Sequence, residues 1–276
     1  MTVAPLSPVI LIRGAGEMAS AIAWRLFMAN MTRICMLELP NPLCVRREVS
    51  FCTAFDRSGM SVEGVRAVVA ANREEMEAAW KEGAIAVMQV ADWEKAAAPR
   101  PDVVVDAILA KKNVATGLAD APLVIALGPG FAAGKDCHVV IETNRGHDLG
   151  RILLDGEAAP NTGIPGNIAG HTAKRVLRAP ASGIFETGRE IGDRLAAGET
   201  VGTVAGQPVA ARLAGMLRRL IPPGHGAASG LQPGRHHPPY ERGICHTLSD
   251  KARALSGSVL EAVMRFYNGN APTARQ

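Results

Sequence analysis

The chain has 276 residues, 47% of them hydrophobic and 20% charged, enough for one sizeable core or two modest domains. Its net charge of +4 comes from dispersed lysines and arginines and only 4% of residues are aromatic, which excludes a stacking platform and with it nucleic-acid binding. No apolar run approaches the roughly 18 residues of a membrane span, the start MTVAPLSP lacks a signal peptide's charged and long apolar parts, and five scattered cysteines without a CxxC read as reduced thiols of a cytoplasmic protein.

The first predicted strand, Val9 to Ile12, is a continuous apolar run, as in a parallel strand buried on both faces. Gly14, Gly16 and Ala19 follow as GxGxxA, and apolar residues then recur at Ala19, Ile22, Ala23, Leu26 and Phe27, the spacing of one helix face. A second strand, Arg33 to Leu37, ends in Glu38, whose carboxylate can accept hydrogen bonds from ribose hydroxyls. Strand, glycine turn, helix and closing acid together point to a dinucleotide-type site. Gly14 permits the turn, Gly16 lets a phosphate approach the backbone, and the amides of the helix start favour an anion. Glu17 suits the helix dipole but repels a phosphate unless it points away. Arg13 either offsets that charge or is a solvated strand end.

Past Pro40 and Pro42 a short helix is expected over Cys44 to Val49, then a strand or hairpin over residues 61–70. Asn72 is placed to cap a helix with acids early, Lys81 late and Gly83 as terminator. Three apolar strands follow, Ala84–Val90, Asp102–Leu109 and Leu123–Leu127, and predict an α/β domain with a mainly parallel sheet. Ligands of such sheets sit beyond the strand carboxyl ends. Asp106, Lys111, Lys112 and Asn113 are therefore candidates for phosphate or base contacts, with a solvated turn as the alternative for the lysines and asparagine. Gly128 to Phe131 reads as a structural turn that could also bring backbone close to a ligand.

A strand over Cys137 to Ile141 runs into a polar cluster: Glu142, Thr143, Asn144, Arg145, Gly146, His147 and Asp148. Arg145 can fork onto a carboxylate or phosphate. His147 can serve as acid, base or ligand, with Asp148 or Glu142 as proton-transfer partner; the alternative is an exposed turn with local hydrogen bonds. Residues 151–175 read as a linking loop.

From Val176 the pattern changes. APASGIF and ARLAGML, with Gly183 and Gly215 in equivalent places, bracket a GDxLxxGxxV phrase that begins at Gly192. This is the wording of a biotinyl/lipoyl-like half barrel. Its hairpin, Gly206-Gln207-Pro208, carries no lysine, which argues against a swinging-arm carrier and for a docking or lid module over 176–221. Residues 222–246 read as a mobile Pro/Gly/His-rich loop whose histidines, with Cys245 and His246, match no trusted zinc spacing, and no metal site is predicted. Residues 247–276 form a C-terminal helix and tail, capped by Ser249 or Asp250 and bearing Ala254, Val259, Val263 and Phe266. The fold class expected is thus α/β: a Rossmann-like mainly parallel sheet over 1–150, a small biotinyl/lipoyl-like β-sandwich module, and a C-terminal helix.

RGAGEMASAIAWRLF, MLELPNPLCVRREVSF, DAILAKKN, GPGFAAGKDCHVVIETNRGHDLGR, NTGIPG and RVLRAPASGIFE together resemble the YqeB-type selenium-dependent molybdenum hydroxylase system protein family. The resemblance covers residues 9–220 and 241–263. It departs at residues 231–239, LQPGRHHPP, where the family continues into a G-x-K-x-x-D-x-D-P-R-like turn. It implies an accessory role in maturing molybdenum hydroxylases, with a hydroxylase apoenzyme or other maturation proteins as partners, and leaves room for a homo-oligomer. The nucleotide-bearing ligand is then the dinucleotide form of the molybdenum cofactor, molybdopterin dinucleotide. Two alternatives stay open: an NAD(P)-dependent oxidoreductase, and a docking protein with a degenerate Rossmann fold.

Overall fold

The computed structural model describes residues 6–161, 175–231, 233–237 and 242–269. Most of the linking loop (162–174), most of the NTGIPG motif and the tail beyond Gly269 lie outside them. The chain divides into two compact units. One contains Met1–Pro40, Ser50–Asn161 and Leu248–Gln276; the other contains Asn41–Val49 and Thr162–Thr247.

In the first unit the elements run β1 (Ile10–Arg13), α1 (Glu17–Met28), β2 (Ile34–Glu38), α2 (Ala54–Arg57), β3 (Met60–Val62), β4 (Val65–Val69), α3 (Arg73–Lys81), β5 (Ile85–Gln89), α4 (Val90–Lys95), β6 (Val103–Asp106), β7 (Leu123–Leu127), β8 (Ala132–Ala133), β9 (Val139–Ile141), β10 (Ile152–Leu153) and β11 (Gly156–Glu157). Nine strands form one sheet in the order β10-β9-β7-β6-β1-β2-β5-β4-β3, and β8 pairs separately with β11. The ladders from β4 to β9 are parallel. Both edges are closed by antiparallel strands, β3 on β4 and β10 on β9.

Parallel strands covered on both faces need apolar residues at every position, and β1, β2, β5, β6 and β7 are buried nearly throughout. Leu11, Leu37, Val104, Val124 and Val140 share one core with Met76 and Ala79 of α3, with Trp80 and Trp93 packed against it. The helix start at α3 forms as read from the sequence: the Asn72 side chain accepts from the Glu75 amide at 2.9 Å, and Glu75 accepts from the Ala71 amide at 2.8 Å. The final helix, α5 (Asp250–Tyr267), belongs to this unit and packs along α1 and against β7 and β9. Its buried face is Ala252, Leu255, Ser256, Val259, Ala262 and Val263; Ala254 is exposed and Phe266 only half-buried.

The expected fold class is corrected here. The large sheet is mixed and carries few helices. The connection from β6 to β7 contains one short 3-10 turn, Leu118–Asp120, and the connection from β7 to β9 contains only the two-residue strand β8. Gly117 and Pro122 punctuate the first stretch and Gly128, Pro129, Gly130 and Gly134 the second, and neither builds the crossover helix a regularly wound domain uses. The helix expected over Cys44 to Val49 shrinks to a 3-10 turn, Arg47–Val49.

The second unit is also unlike the module expected. Its strands are β12 (Gly183–Glu186), β13 (Arg194–Leu195), β14 (Thr200–Val204), β15 (Gln207–Ala210), β16 (Gly215–Leu220), β17 (Gly226–Ala227) and β18 (Gly234–His237). They form two sheets, β15-β14-β12-β17 and β13-β16-β18. Strands β17 and β18 come from the segment read as a mobile loop, and the unit also takes in residues 41–49, so the sheets are not two repeated halves within 176–221. Phe185, Leu195, Val201, Val204, Leu217 and Leu220 make its core. Arg46 is buried at 2% exposure and donates to the carbonyls of Arg218, Ile244, Cys245 and Thr247. These carbonyls, all taken by the two terminal nitrogens, offset much of the cost of burying the guanidinium.

Candidate functional site: the carboxyl edge of the parallel strands

Strands β9, β7, β6, β1 and β2 lie side by side and parallel, so the turns that leave their carboxyl ends form one row. Gly14 sits at φ +99°, and a Cβ there would stand 3.1 Å from the Ala107 carbonyl oxygen. Glycine is therefore required where the turn after β1 meets the turn after β6. Gly16 is different. Its φ is −74°, it caps α1 without a side-chain hydrogen bond, and a Cβ built on it meets nothing within 4 Å.

Glu38 closes β2 beside this turn. Its carboxylate accepts from the Ala15 amide at 2.9 Å and from the Leu39 amide at 2.9 Å. Two of its acceptor directions thus hold the protein's own backbone, and an ionised carboxylate has about four. Glu17 is buried at 8% exposure in the first turn of α1, and its charge reaches Arg145.

Asp106, at the end of β6, is 1% exposed. It accepts from the Ile108 amide at 3.1 Å and from the Thr116 hydroxyl at 2.7 Å, and Arg13 lies 3.8 Å away. Arg13 itself donates to the Ala115 carbonyl at 2.7 Å and to the Thr116 hydroxyl. Asn113 accepts from the amides of Ala115 and Thr116 and donates to the Thr116 carbonyl. These three predicted ligand contacts therefore fold the turn after β6. Lys111 and Lys112 are exposed; Lys111 has φ +62°, and the Lys112 backbone lies where a Cβ on Gly130 would have to go, 2.5 Å away.

The turn after β9 is built the same way. Glu142 accepts from the Asn144 amide and the Ala159 amide, both at 2.6 Å. Thr143 is buried, and its hydroxyl lies 2.5 Å from where a Cβ on Gly128 would be. Arg145 donates bidentately to Asp250, at 2.7 and 2.9 Å, a carboxylate in the first turn of α5. That hydrogen-bonded pair raises its already high pKa further, with burial opposing and the Glu17 charge adding a smaller push. Asn144, Gly146 and His147 are exposed, and Asp148 pairs with Arg151 at 3.0 Å. The proposed proton-transfer set is thus dispersed: Glu142 is tied to two amides, Asp148 to an arginine, and His147 faces solvent.

Sequence reading missed Thr116, which joins Arg13 to Asp106, and Asp250, which engages Arg145. Asp250 is more than a hundred positions from its partner, and nothing local marks the pair. Among the described residues, no helix is long and apolar enough to cross a membrane.

No protein-family model matches the chain. It is 44% identical over 259 residues, 94% of its length, to uncharacterized protein YqeB of Escherichia coli strain K12. That alignment takes in 48% of the relative, so the chain spans about half the length of the curated protein it matches. Among solved structures, a succinylglutamate desuccinylase/aspartoacylase from Rhodobacter sphaeroides overlaps 83% of this chain and 85% of its own at 15% identity, with a TM-score of 0.27. An aspartoacylase family protein from Mesorhizobium loti overlaps 84% and 85% at 12% identity, again with a TM-score of 0.27.

Proposed function

We propose that this chain, a YqeB-type protein over the half of that relative it spans, is an accessory factor in molybdenum hydroxylase maturation that holds a nucleotide-bearing ligand at the Gly14–Gly16 turn. The observation that carries the reading is Gly16. Gly14 is explained by its positive φ and its approach to Ala107, whereas neither dihedral nor packing requires glycine at Gly16. Open space in front of a helix N-terminus is where a phosphate can meet backbone amides. Glu38, with acceptor capacity left, stands beside it for ribose hydroxyls.

The residues fit a ligand gripped through amides and hydroxyls rather than by lysines. Arg13 serves its own turn, Glu17 limits how much negative charge the helix start accepts, and Arg145 is a guanidinium that feels the charge of that acid. A pyrophosphate esterified on both sides carries less charge than a free triphosphate, which suits molybdopterin dinucleotide as cargo. A hydroxylase apoenzyme or another maturation protein is the partner that role requires. The hydride-transfer reading is not advanced, because His147, Asp148 and Glu142 do not converge on one point.

Gly16→Ala tests the site. Its backbone is already in an ordinary region, so the variant is expected to melt within a few degrees of wild type, the N-cap change costing at most about 1 kcal/mol. Affinity for a dinucleotide, read by titration calorimetry, is expected to fall at least tenfold. Wild type that binds no dinucleotide at millimolar concentration, or a variant that binds as tightly, overturns the reading.

A further inference from the structure

The geometry points to a base clamp: Leu39 and Ile108 hold the planar heteroaromatic base of the ligand between their side chains. This rests on the nucleotide site proposed at Gly14–Gly16 and names the part of the ligand that gives it binding energy.

Leu39 is 62% exposed and Ile108 41% exposed. A lone exposed aliphatic residue is ordinary; the placement of this pair is not. Strand β1 is flanked by β2 and β6, and Arg13, its last residue, is in register with Leu37 on one side and Asp106 on the other. Leu39 and Ile108 each lie two positions beyond those register partners. They therefore straddle the glycine turn, one on each neighbouring strand end. Counting alternate positions back along each strand, both fall on the parity of Leu37 and Val104, whose side chains share one core with Leu11.

Each is fixed in place. The Leu39 amide donates to Glu38, and Pro40 behind it keeps Leu39 extended. The Ile108 amide donates to Asp106, and Leu109 behind it takes φ +60° and turns the chain away. Two strand-closing acids thus pin two exposed aliphatic residues on either side of one turn. Strand spacing sets the ends of β2 and β6, from which the two residues leave, about 10 Å apart, twice the inter-strand distance. An aromatic ring with a methyl or methylene on each face needs carbons about 3.5–4 Å from the ring plane, which side chains reaching inward from that separation can supply. An aliphatic sandwich grips any flat ring and does not read its edge. Glu38, which pins Leu39, is also the acid placed for the ribose, so base and sugar would be held by consecutive residues.

The test is titration of the full chain with inorganic pyrophosphate and with ADP, GDP and CDP, in wild type, Leu39→Ala, Ile108→Ala, the double variant and Leu39→Met. The wild type is expected to bind at least one diphosphate nucleoside more tightly than pyrophosphate. Each alanine variant should weaken that nucleotide about tenfold, leave pyrophosphate within about twofold, and Leu39→Met should restore most of the loss. Unchanged nucleotide affinity in the double variant overturns the clamp while leaving the site. Equal loss for pyrophosphate and nucleotide also overturns it, because the side chains would then be shaping the turn. A wild type that binds none of the four overturns the site itself.

Discussion

At the scale of single residues, the acids at the strand ends have uses that differ from those their sequence context indicates. Glu38, Asp106 and Glu142 each close a parallel strand, the position from which a ligand is reached. Each also accepts an amide of its own turn, and Asp106 and Glu142 are almost wholly buried in doing so. A carboxylate that folds a turn and one that receives a ligand have the same spelling. What separates them is whether acceptor capacity remains, and that depends on residues as far off as Thr116 and Ala159. A second titratable group is set by the sheet. The His138 ring accepts at Nδ1 from the Val124 amide at 3.0 Å, which requires the neutral imidazole, and burial lowers its pKa below the ordinary 6.5. Between the folded pKa and 6.5 the unfolded chain binds more protons than the folded one. Stability from this group is therefore fully present above 6.5 and lost as pH falls through that window. Thermal melts from pH 7.5 to 5.5 should show the midpoint falling below 6.5 in wild type and a shallower fall in His138→Gln; parallel slopes would refute the assignment.

At the scale of elements, patterns that are local in the chain were legible and those set by distant partners were not. Unbroken apolar runs marked β1, β5, β6, β7 and β9 because a strand covered on both faces leaves no position for a polar side chain. The cap Asn72 was equally visible, and the sequence narrowed residues 61–70 to a strand or hairpin and the last cap to Ser249 or Asp250, of which the structure takes the hairpin β3–β4 and Ser249, since their physics is complete within a few residues. Where α5 docks was not, because its buried face is chosen by α1 and the β9 turn, at the other end of the chain. That docking has a specific joint. The Ser258 hydroxyl donates to the Gly150 carbonyl at 2.6 Å, Gly150 is at φ +84°, and a Cβ on it would stand 2.8 Å from the same hydroxyl. Gly150→Ala is expected to cost about 1–3 kcal/mol through its backbone and this clash, and Ser258→Ala about 1 kcal/mol through the lost bond. Because Ser258→Ala also removes the atom that clashes, the double variant should cost less than the two singles together. Additive costs in denaturant melts would show that the joint does not carry strain between the two elements.

At the scale of the whole molecule, the chain places two cores in an order that its sequence interleaves. Residues 41–49 leave the first unit, join the second, and the chain returns to the first at Ser50; Leu248 returns again after the second unit closes. A boundary reading that follows composition along the chain assigns contiguous blocks and so cannot assign Arg46, which sits among carbonyls some 170 to 200 positions later. The five cysteines report on this arrangement. All are buried, with Cys35, Cys52 and Cys137 in the first unit and Cys44 and Cys245 in the second. Burial pushes the Cys35 thiol far up and the Cys137 thiol up to about 12, so neither offers thiolate at neutral pH. The native protein should therefore react very slowly with a thiol reagent at pH 7.5. Brief labelling pulses along a urea gradient, read by mass spectrometry, should then expose the thiols by unit, Cys35, Cys52 and Cys137 together and Cys44 and Cys245 together. Each unit encloses its own hydrophobic core, and a core is lost cooperatively. A dinucleotide bound at the glycine turn should shift only the group of three to higher urea, since ligand stabilises the state that binds it. A shift of all five in one step would mean that the two cores unfold as one body, and labelling of any cysteine in the native state would mean that its unit opens on its own.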